Sequence, residues 1–393
     1  MNEISAVICE TNPCHNGHAA LFQRAKTVCG ENGVLIAVMS GNFVQRGLPA
    51  VWDKYRRAAL LIEQGVDLVV ELPYPWSAAG GEDFARAGVS IADRLGAARL
   101  VFGSERGDTD TLLQLAKMLH TPEADKKRAA CLSDNPALGA AVLEDRLCAD
   151  LGIAPLSAND KLGLWYIDAL RETDCQPIAV PRLPGSERIA SAGRLREWLY
   201  GGETEPVRSF VPDPVWQTVR AEPVTPLAKY YDLLHTYFRF FVPDTAPELR
   251  EASGGVYERL CRSAYRVASG TAFFEAAACK KYTNARLRRA ALFCATAVTD
   301  ALLAEMPRYT LLLAANEKGC AWLGRRKKSM ELSIVTKPAD FQKLPGRTQA
   351  QLAILHRADA FYAYLMGRDG GYFLRTSPYI AHRYSAADSE TGV

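Results

Sequence analysis

Along the first hundred residues, short continuous apolar runs alternate with stretches whose apolar positions recur every three or four residues. Ser5-Ala6-Val7-Ile8-Cys9, Val34-Leu35-Ile36-Ala37-Val38-Met39, Asp67-Leu68-Val69-Val70-Glu71-Leu72 and Arg99-Leu100-Val101-Phe102 read as four strands. Each is an unbroken apolar run rather than an alternating one, the pattern of strands covered on both faces. Between them, Ala20, Leu21, Ala25 and Val28 share one face of a helix that Gly30 can close. Asp53 can cap a second helix through Ala58, Leu61 and Ile62 to Gly65, and a third spans Asp83 to Leu95. Strand and helix in regular turn predict a parallel, Rossmann-like α/β sheet wrapped by helices.

After Gly107 the pattern becomes mainly helical. Thr111–His120, Asp160–Leu170 and Ser191–Tyr200 read as helices, the last ending at Gly201-Gly202, and Gln176-Pro177-Ile178-Ala179-Val180 reads as a fifth strand. The Pro-spaced segment from Pro206 to Pro226 is the best linker candidate, and the chain from Leu227 onward is largely helical. The predicted organisation is therefore a catalytic α/β domain over residues 1–225 and a mostly α-helical, basic domain over 226–393.

Composition narrows the classes. A chain of 393 residues, 48% hydrophobic and 23% charged, has ample material for two or three packed domains. Its apolar runs are too short to span a bilayer, so no membrane partner is expected. Met1-Asn2-Glu3-Ile4-Ser5 lacks the basic start and apolar core of a secretion signal. Ten cysteines scattered without a CxxC pair then read as reduced thiols of a cytoplasmic protein, not as a disulfide frame or a metal site. Lys and Arg exceed Asp and Glu by only 3, against a strongly basic nucleic-acid protein on average charge alone.

The most specific local signal is Asn12-Pro13-Cys14-His15-Asn16-Gly17-His18, between the first strand and the first helix. Helix N-termini at that place in a parallel sheet attract phosphate through free N–H groups and the helix dipole. Two imidazoles around a glycine can add donors to phosphate oxygens and steady the charge that grows on an α-phosphate under attack. Chance surface polarity and a zinc pair are the competing readings, although the metalloprotease spacing and its glutamate are missing. Neither Gly-x-Gly-x-x-Gly nor Gly-x4-Gly-Lys-Ser/Thr is present, which disfavours a dehydrogenase or a P-loop ATPase. Asn42, Gln45 and Arg46 in Met39-Ser40-Gly41-Asn42-Phe43-Val44-Gln45-Arg46-Gly47 would project donors into the same crevice, beside Glu71-Leu72-Pro73 and Phe102-Gly103-Ser104-Glu105.

His15-Asn16-Gly17-His18 resembles the HxGH signature of the nucleotidyltransferase superfamily. Together with Asn12-Pro13, the segments 39–47, 65–73 and 101–105 resemble the bacterial tRNA(Met) cytidine acetate ligases. Ser157-Ala158-Asn159, Ile189-Ala190-Ser191-Ala192, Tyr282-Thr283-Asn284-Ala285-Arg286-Leu287-Arg288-Arg289 and Asn316-Glu317-Lys318-Gly319 match in the same order. The resemblance implies an ATP-dependent ligase that activates acetate as acetyl-adenylate and acetylates N4 of the wobble cytidine of elongator tRNA(Met). It implies His15 and His18 as the catalytic pair, aided by backbone donors of residues 16–19. ATP, accompanied by Mg, would lie against Ile8, Cys9, Glu10, Asn12, Pro13, Asn16, Gly17, Ala19 and Leu21, with Gly103, Asn159 and Arg182 as further contacts. Arg182 would fork onto a phosphate or cover the adenine. Ser191, near Arg196, is either a phosphate contact or a helix cap. Thr11 and Cys14 replace the family's usual aromatics, Asp160 replaces an Asn, Gly193 replaces a Thr, and a Tyr-His pair between Arg182 and Ile189 is absent.

Charge is unevenly placed. Residues 279–330 hold eleven Lys and Arg against three acidic residues, +8 in one window. Lys280, Lys281, Arg286, Arg288, Arg289, Arg325, Arg326, Lys327 and Lys328, interleaved with Tyr282, Tyr309 and Trp322, read as an RNA site with stacking rings, or as a solvated helix face. Two further functions stay open: a nucleotidyltransferase that adenylates another metabolite without RNA, and a non-catalytic RNA-binding relative.

Overall fold

The computed structural model describes residues 4–134, 138–182, 190–243 and 248–381. Five strands anticipated from the apolar runs are present and parallel: β1 (Ile4–Cys9), β2 (Val34–Ser40), β5 (Leu68–Leu72), β6 (Arg99–Ser104) and β7 (Gln176–Pro181). Two short strands, β3 (Phe43–Val44) and β4 (Leu48–Pro49), form an antiparallel ladder after β2. Three more come from the C-terminal half: β8 (Tyr309–Ala315), β9 (Ser333–Val335) and β10 (Tyr379–Ile380). The main sheet runs β10-β8-β5-β2-β1-β6-β7, with β9 beside β8.

Unbroken apolar strands follow from burial on both sides. Every residue of β1, β2, β5 and β8 is buried. Helices α1 (Asn16–Cys29), α2 (Lys54–Glu63) and α3 (Gly81–Arg94) lie where the periodicity placed them. Gly30 closes α1 with a positive φ of 75°, which a side chain would resist, and the Asp53 carboxylate accepts from the N–H groups of Tyr55 and Arg56 to cap α2.

Two expectations are corrected. Tyr309–Ala315, inside the stretch read as helical, is a strand that joins β5 antiparallel, Leu68 opposite Ala315. Its Leu-rich and Ala-rich composition favours a helix locally, and the open edge of β5 overrides it. The Pro206–Pro226 segment is no bare linker: it holds a 3-10 turn (Glu205–Phe210) and a helix (Asp213–Ala221). Thr225 ends it with its N–H on the Val51 carbonyl (2.9 Å) and its hydroxyl on Tyr362 Oη (2.6 Å).

The chain order reverses direction between β1 and β6. In an open α/β sheet this places the ligand crevice outside the C-terminal ends of those two strands. The loop of residues 10–15 and the turn after Ser104 meet there.

Candidate active site

The first turn of α1 is built from its own histidines. His15 is the N-cap; its Nδ1 accepts from Gly17 N (3.1 Å) and His18 N (3.4 Å). His18 Nδ1 in return accepts from His15 N (3.3 Å), and the two rings stack with centroids 3.8 Å apart. An Nδ1 that accepts leaves the ring proton on Nε2. Both side chains are thus fixed as neutral Nε2–H donors. Burial, with the Arg182 guanidinium nearby, pushes His15 down to about 4. Burial, His15 and Arg182 push His18 in the same direction. This corrects one expectation: the N–H groups of Gly17, His18 and Ala19 already serve His15, so they are not spare phosphate donors.

Three arginines frame this turn. Arg57, on α2 and buried, donates through Nη1 to the Glu10 carbonyl (2.7 Å), through Nε to Trp52 O (3.0 Å), and through Nη2 to Ser40 O (3.0 Å) and Gly41 O. One guanidinium therefore ties the end of β1 to the end of β2. Arg196 reaches back from the helix Ala192–Gly201 to the Asn12 carbonyl (2.7 Å). Arg182 follows β7, with Nη1 3.7 Å from Glu105 Oε1, and its side chain lies 3.4 Å from where a Cβ on Gly103 would sit. The Glu105 carboxylate also accepts from Asn159 Nδ2 (2.6 Å) and Ser157 Oγ. Gly103, Asn159 and Arg182 are accordingly brought together beside the histidines.

The loop itself is held from below. Asn12 Oδ1 accepts from Val51 N (2.8 Å), and Glu10 accepts from Gln45 N (2.7 Å). Burial pushes the Glu10 carboxyl up, against Gln45 N and the charges of Arg196, Arg46 and Arg57. Ile8 and Cys9 are buried strand residues, and burial raises the Cys9 thiol. Asn16 Nδ2 turns to Ser209 O (3.2 Å), while Ala19 and Leu21 stand half-buried on α1. Ser191 caps its helix through Arg194 N (3.2 Å). Ile189 and residues 183–188 lie outside the described residues.

The loop after β2 behaves differently from its reading as a row of free donors. Asn42 is buried, with Nδ2 on Asp359 (2.9 Å) and Oδ1 accepting from Lys54 N (2.9 Å). Beneath it, Lys54 bridges Glu71 (2.9 Å) and Asp359 (2.7 Å). Burial opposes the ammonium, yet the two carboxylates outweigh it and hold it charged. Arg46 alone of the three expected donors is exposed.

The basic window is also rearranged. Tyr282, Tyr309 and Trp322 are 9%, 0% and 4% exposed, so none offers a stacking face. Tyr309 and Trp322 face inward from elements packed on the sheet, and Tyr282 is held by its hydroxyl on Gly254 O. Arg286 is buried too, donating to the carbonyls of Glu251, Arg250 and Ser253, and Arg289 pairs with Glu251 at 2.7 Å. Arg288 is half-buried on the Arg46 carbonyl (3.3 Å). Lys280 and Lys281 are exposed, Lys281 on Gly254 O (3.2 Å). Arg325, Arg326 and Lys328 are exposed as well, while Lys327 holds Thr336 and Asp340. These residues do not form one surface. The backbone at Arg289 lies against Gly47, beyond the C-terminal ends of the strands; Arg326 lies against Gly96, beside their N-terminal ends. Strands of five to seven residues separate the two groups by roughly 20 Å.

Comparison with known proteins decides the family. A family model described as HIGH Nucleotidyl Transferase matches residues 1–370. The tRNA(Met) cytidine acetate ligase of Syntrophotalea carbinolica is 34% identical over 354 residues, 84% of each chain. That of Anoxybacillus flavithermus is 31% identical over 379 residues, covering 89% of this chain and 94% of its own. The chain belongs to the tRNA(Met) cytidine acetate ligase family. Thermotoga maritima TmcAL bound with alpha-thio ATP superposes with a TM-score of 0.88 at 27% identity, over 97% of this chain and all of the other.

Within that family the departures of this chain acquire local explanations. Asp160 does not face the crevice: it is buried, accepting from Ser104 Oγ (2.5 Å) and Arg106 N (3.3 Å). Thr11 is buried with its hydroxyl on Met39 Sδ (3.4 Å) and a positive φ of 46°, and Cys14 is buried with its thiol pushed up to about 12 by desolvation. Gly193 sits over Ser191 Oγ with ordinary van der Waals space for a Cβ.

Arg57 and Lys54 escaped the sequence reading, although a signal existed. Lys54, Ala58 and Leu61 share one face of α2, as do Arg57 and Leu61. A charged residue on the buried face of a helix marks a group bonded inside the protein.

Proposed function

We propose that this protein uses ATP to activate acetate and then acetylates N4 of the wobble cytidine of elongator tRNA(Met). An acetate oxygen attacks the α-phosphorus, the bond to the bridging oxygen breaks, and pyrophosphate leaves. The cytidine N4 then attacks the acetyl carbon, the acyl–phosphate bond breaks, AMP leaves, and N4 gives up a proton. The observation that carries this reading is the stacked His15–His18 pair with both Nδ1 atoms occupied by the turn. Each ring keeps one Nε2–H for phosphate oxygens, held without cost of reorganisation as charge develops. Arg182 adds a positive charge beside them, its side chain packed over Gly103. Magnesium is assigned to the triphosphate as it enters. The names and ATP-analogue complex of the relatives support the reading, and a tRNA substrate with ATP fits work in the cytoplasm.

The test is acetate-dependent exchange of labelled pyrophosphate into ATP without RNA, followed by mass spectrometry of nucleosides from tRNA incubated with ATP and acetate. N4-acetylcytidine in tRNA(Met) is the expected product. Exchange that depends on a different carboxylate, with no acetylated nucleoside, would replace this reading with adenylation of another metabolite.

A further inference from the structure

Among the described residues, the three most exposed large hydrophobic side chains are Phe240 (70%), Phe241 (69%) and Tyr265 (66%). They gather at one place, where the helix Leu227–Phe240 ends beside the helix Val256–Arg266. Phe240 and Tyr265 line the same cleft of about 420 Å³, together with Arg239, Tyr257 and Arg262. That volume suits a small planar group. The Arg239 guanidinium sits 5.9 Å from the Phe240 ring centroid while donating to Val267 O (2.9 Å), so the side chain is anchored. Arg262 lines the cleft and is exposed, and Arg266, next to Tyr265 in the chain, is exposed as well, against one acidic lining residue, Glu258.

Exposed rings among arginines are what an unpaired nucleobase and its phosphates recognise: every base has a face to stack, and guanidinium groups pair with the backbone. A protein partner would bury rings of this kind without needing the surrounding positive charge. The position agrees. Tyr230, near the start of the helix Leu227–Phe240, donates to the Gly47 carbonyl (2.7 Å) at the active-site end of the sheet. Ten residues of helix, about 15 Å, then lead to Phe240. A tRNA presenting a base at the crevice can reach this cleft with nearby nucleotides. We propose that the Phe240–Tyr265 cleft binds an unpaired base of the tRNA substrate by stacking, with Arg239, Arg262 and Arg266 on the flanking phosphates. This rests on the proposed tRNA reaction and adds the place of contact, which the buried rings of residues 279–330 do not provide.

The double variant Phe240→Ala/Tyr265→Ala tests it, because both side chains are solvent-exposed and their removal spares the core. Affinity for full-length labelled tRNA(Met) is measured by fluorescence polarisation, acetate-dependent pyrophosphate exchange is measured without RNA, and sedimentation reports the assembly state. The expected result is tRNA affinity lowered about ten-fold or more, with exchange and sedimentation as in the wild type. Arg262→Ala/Arg266→Ala should weaken binding and flatten its dependence on salt. Wild-type affinity in the Phe240→Ala/Tyr265→Ala variant overturns the inference, as does a wild-type dimer that this variant dissociates while still binding tRNA normally. A wild-type protein that neither exchanges pyrophosphate nor binds tRNA overturns the proposed function itself.

Discussion

His15 and His18 hold each other's backbone: the Nδ1 of each ring accepts an N–H from the other residue, and the rings stack between them. The turn thereby sets the tautomer that the chemistry uses. His15→Asn separates the two roles, since Asn is a good N-cap but has no Nε2–H. Its melting temperature should stay near that of the wild type while acetate-dependent pyrophosphate exchange falls roughly 100-fold or more. His15→Ala should lose the same activity and about 1 kcal/mol of stability in urea titration.

The same pair makes stability fall in acid. An unfolded His15 takes up its proton near 6.5, and the folded one only at about 4. Between those values the unfolded chain binds more protons, so acidification favours it. Thermal scans should show the wild type losing melting temperature from pH 7 to pH 5 more steeply than His15→Asn. An identical slope in the two proteins would sink this account.

Arg57 is a positioning residue, buried and donating to four carbonyls that hold the ends of β1 and β2 together. Lysine cannot span them, because it lacks the planar fork. Arg57→Lys should raise the KM for ATP in pyrophosphate exchange more than it lowers kcat, as the loop of residues 10–15 loses its register against β2. It should also cost on the order of 3 kcal/mol, through carbonyls left buried without donors.

Lys54 offers a stability test that does not involve the histidines. Its ammonium separates two buried carboxylates, Glu71 and Asp359. Lys54→Met leaves those carboxylates facing each other and should cost about 3–5 kcal/mol in urea unfolding. Lys54→Met/Glu71→Gln/Asp359→Asn should recover part of that loss; no recovery would mean that the charges are not the cause.

Much of the first two hundred residues was legible in the sequence because burial on both faces writes itself as uninterrupted apolar runs. Val34–Met39 and Arg99–Phe102 needed nothing else, Asp53 marked a helix start by its capping carboxylate, and Gly30 a helix end by the positive φ it tolerates. The strand Tyr309–Ala315 was hidden because its conformation is decided by the edge of β5, far away along the chain. The basic window misled for a related reason: a charge count has no direction. It could not reveal that Arg286 points inward at three carbonyls, or that Arg289 and Arg326 stand at opposite ends of the sheet.

The antiparallel seam between β5 and β8 also orders events in time. As the chain leaves the ribosome, Leu68–Leu72 emerges more than two hundred residues ahead of Tyr309–Ala315, the partner that covers its outer edge. Until then a fully buried, mostly apolar strand stands at the border of the nascent sheet with its N–H and C=O groups unmatched, a template for any passing strand. A fragment ending near residue 225 would keep that border permanently and should self-associate. The late C-terminal strand β8 is, in this sense, the sheet's own stopper.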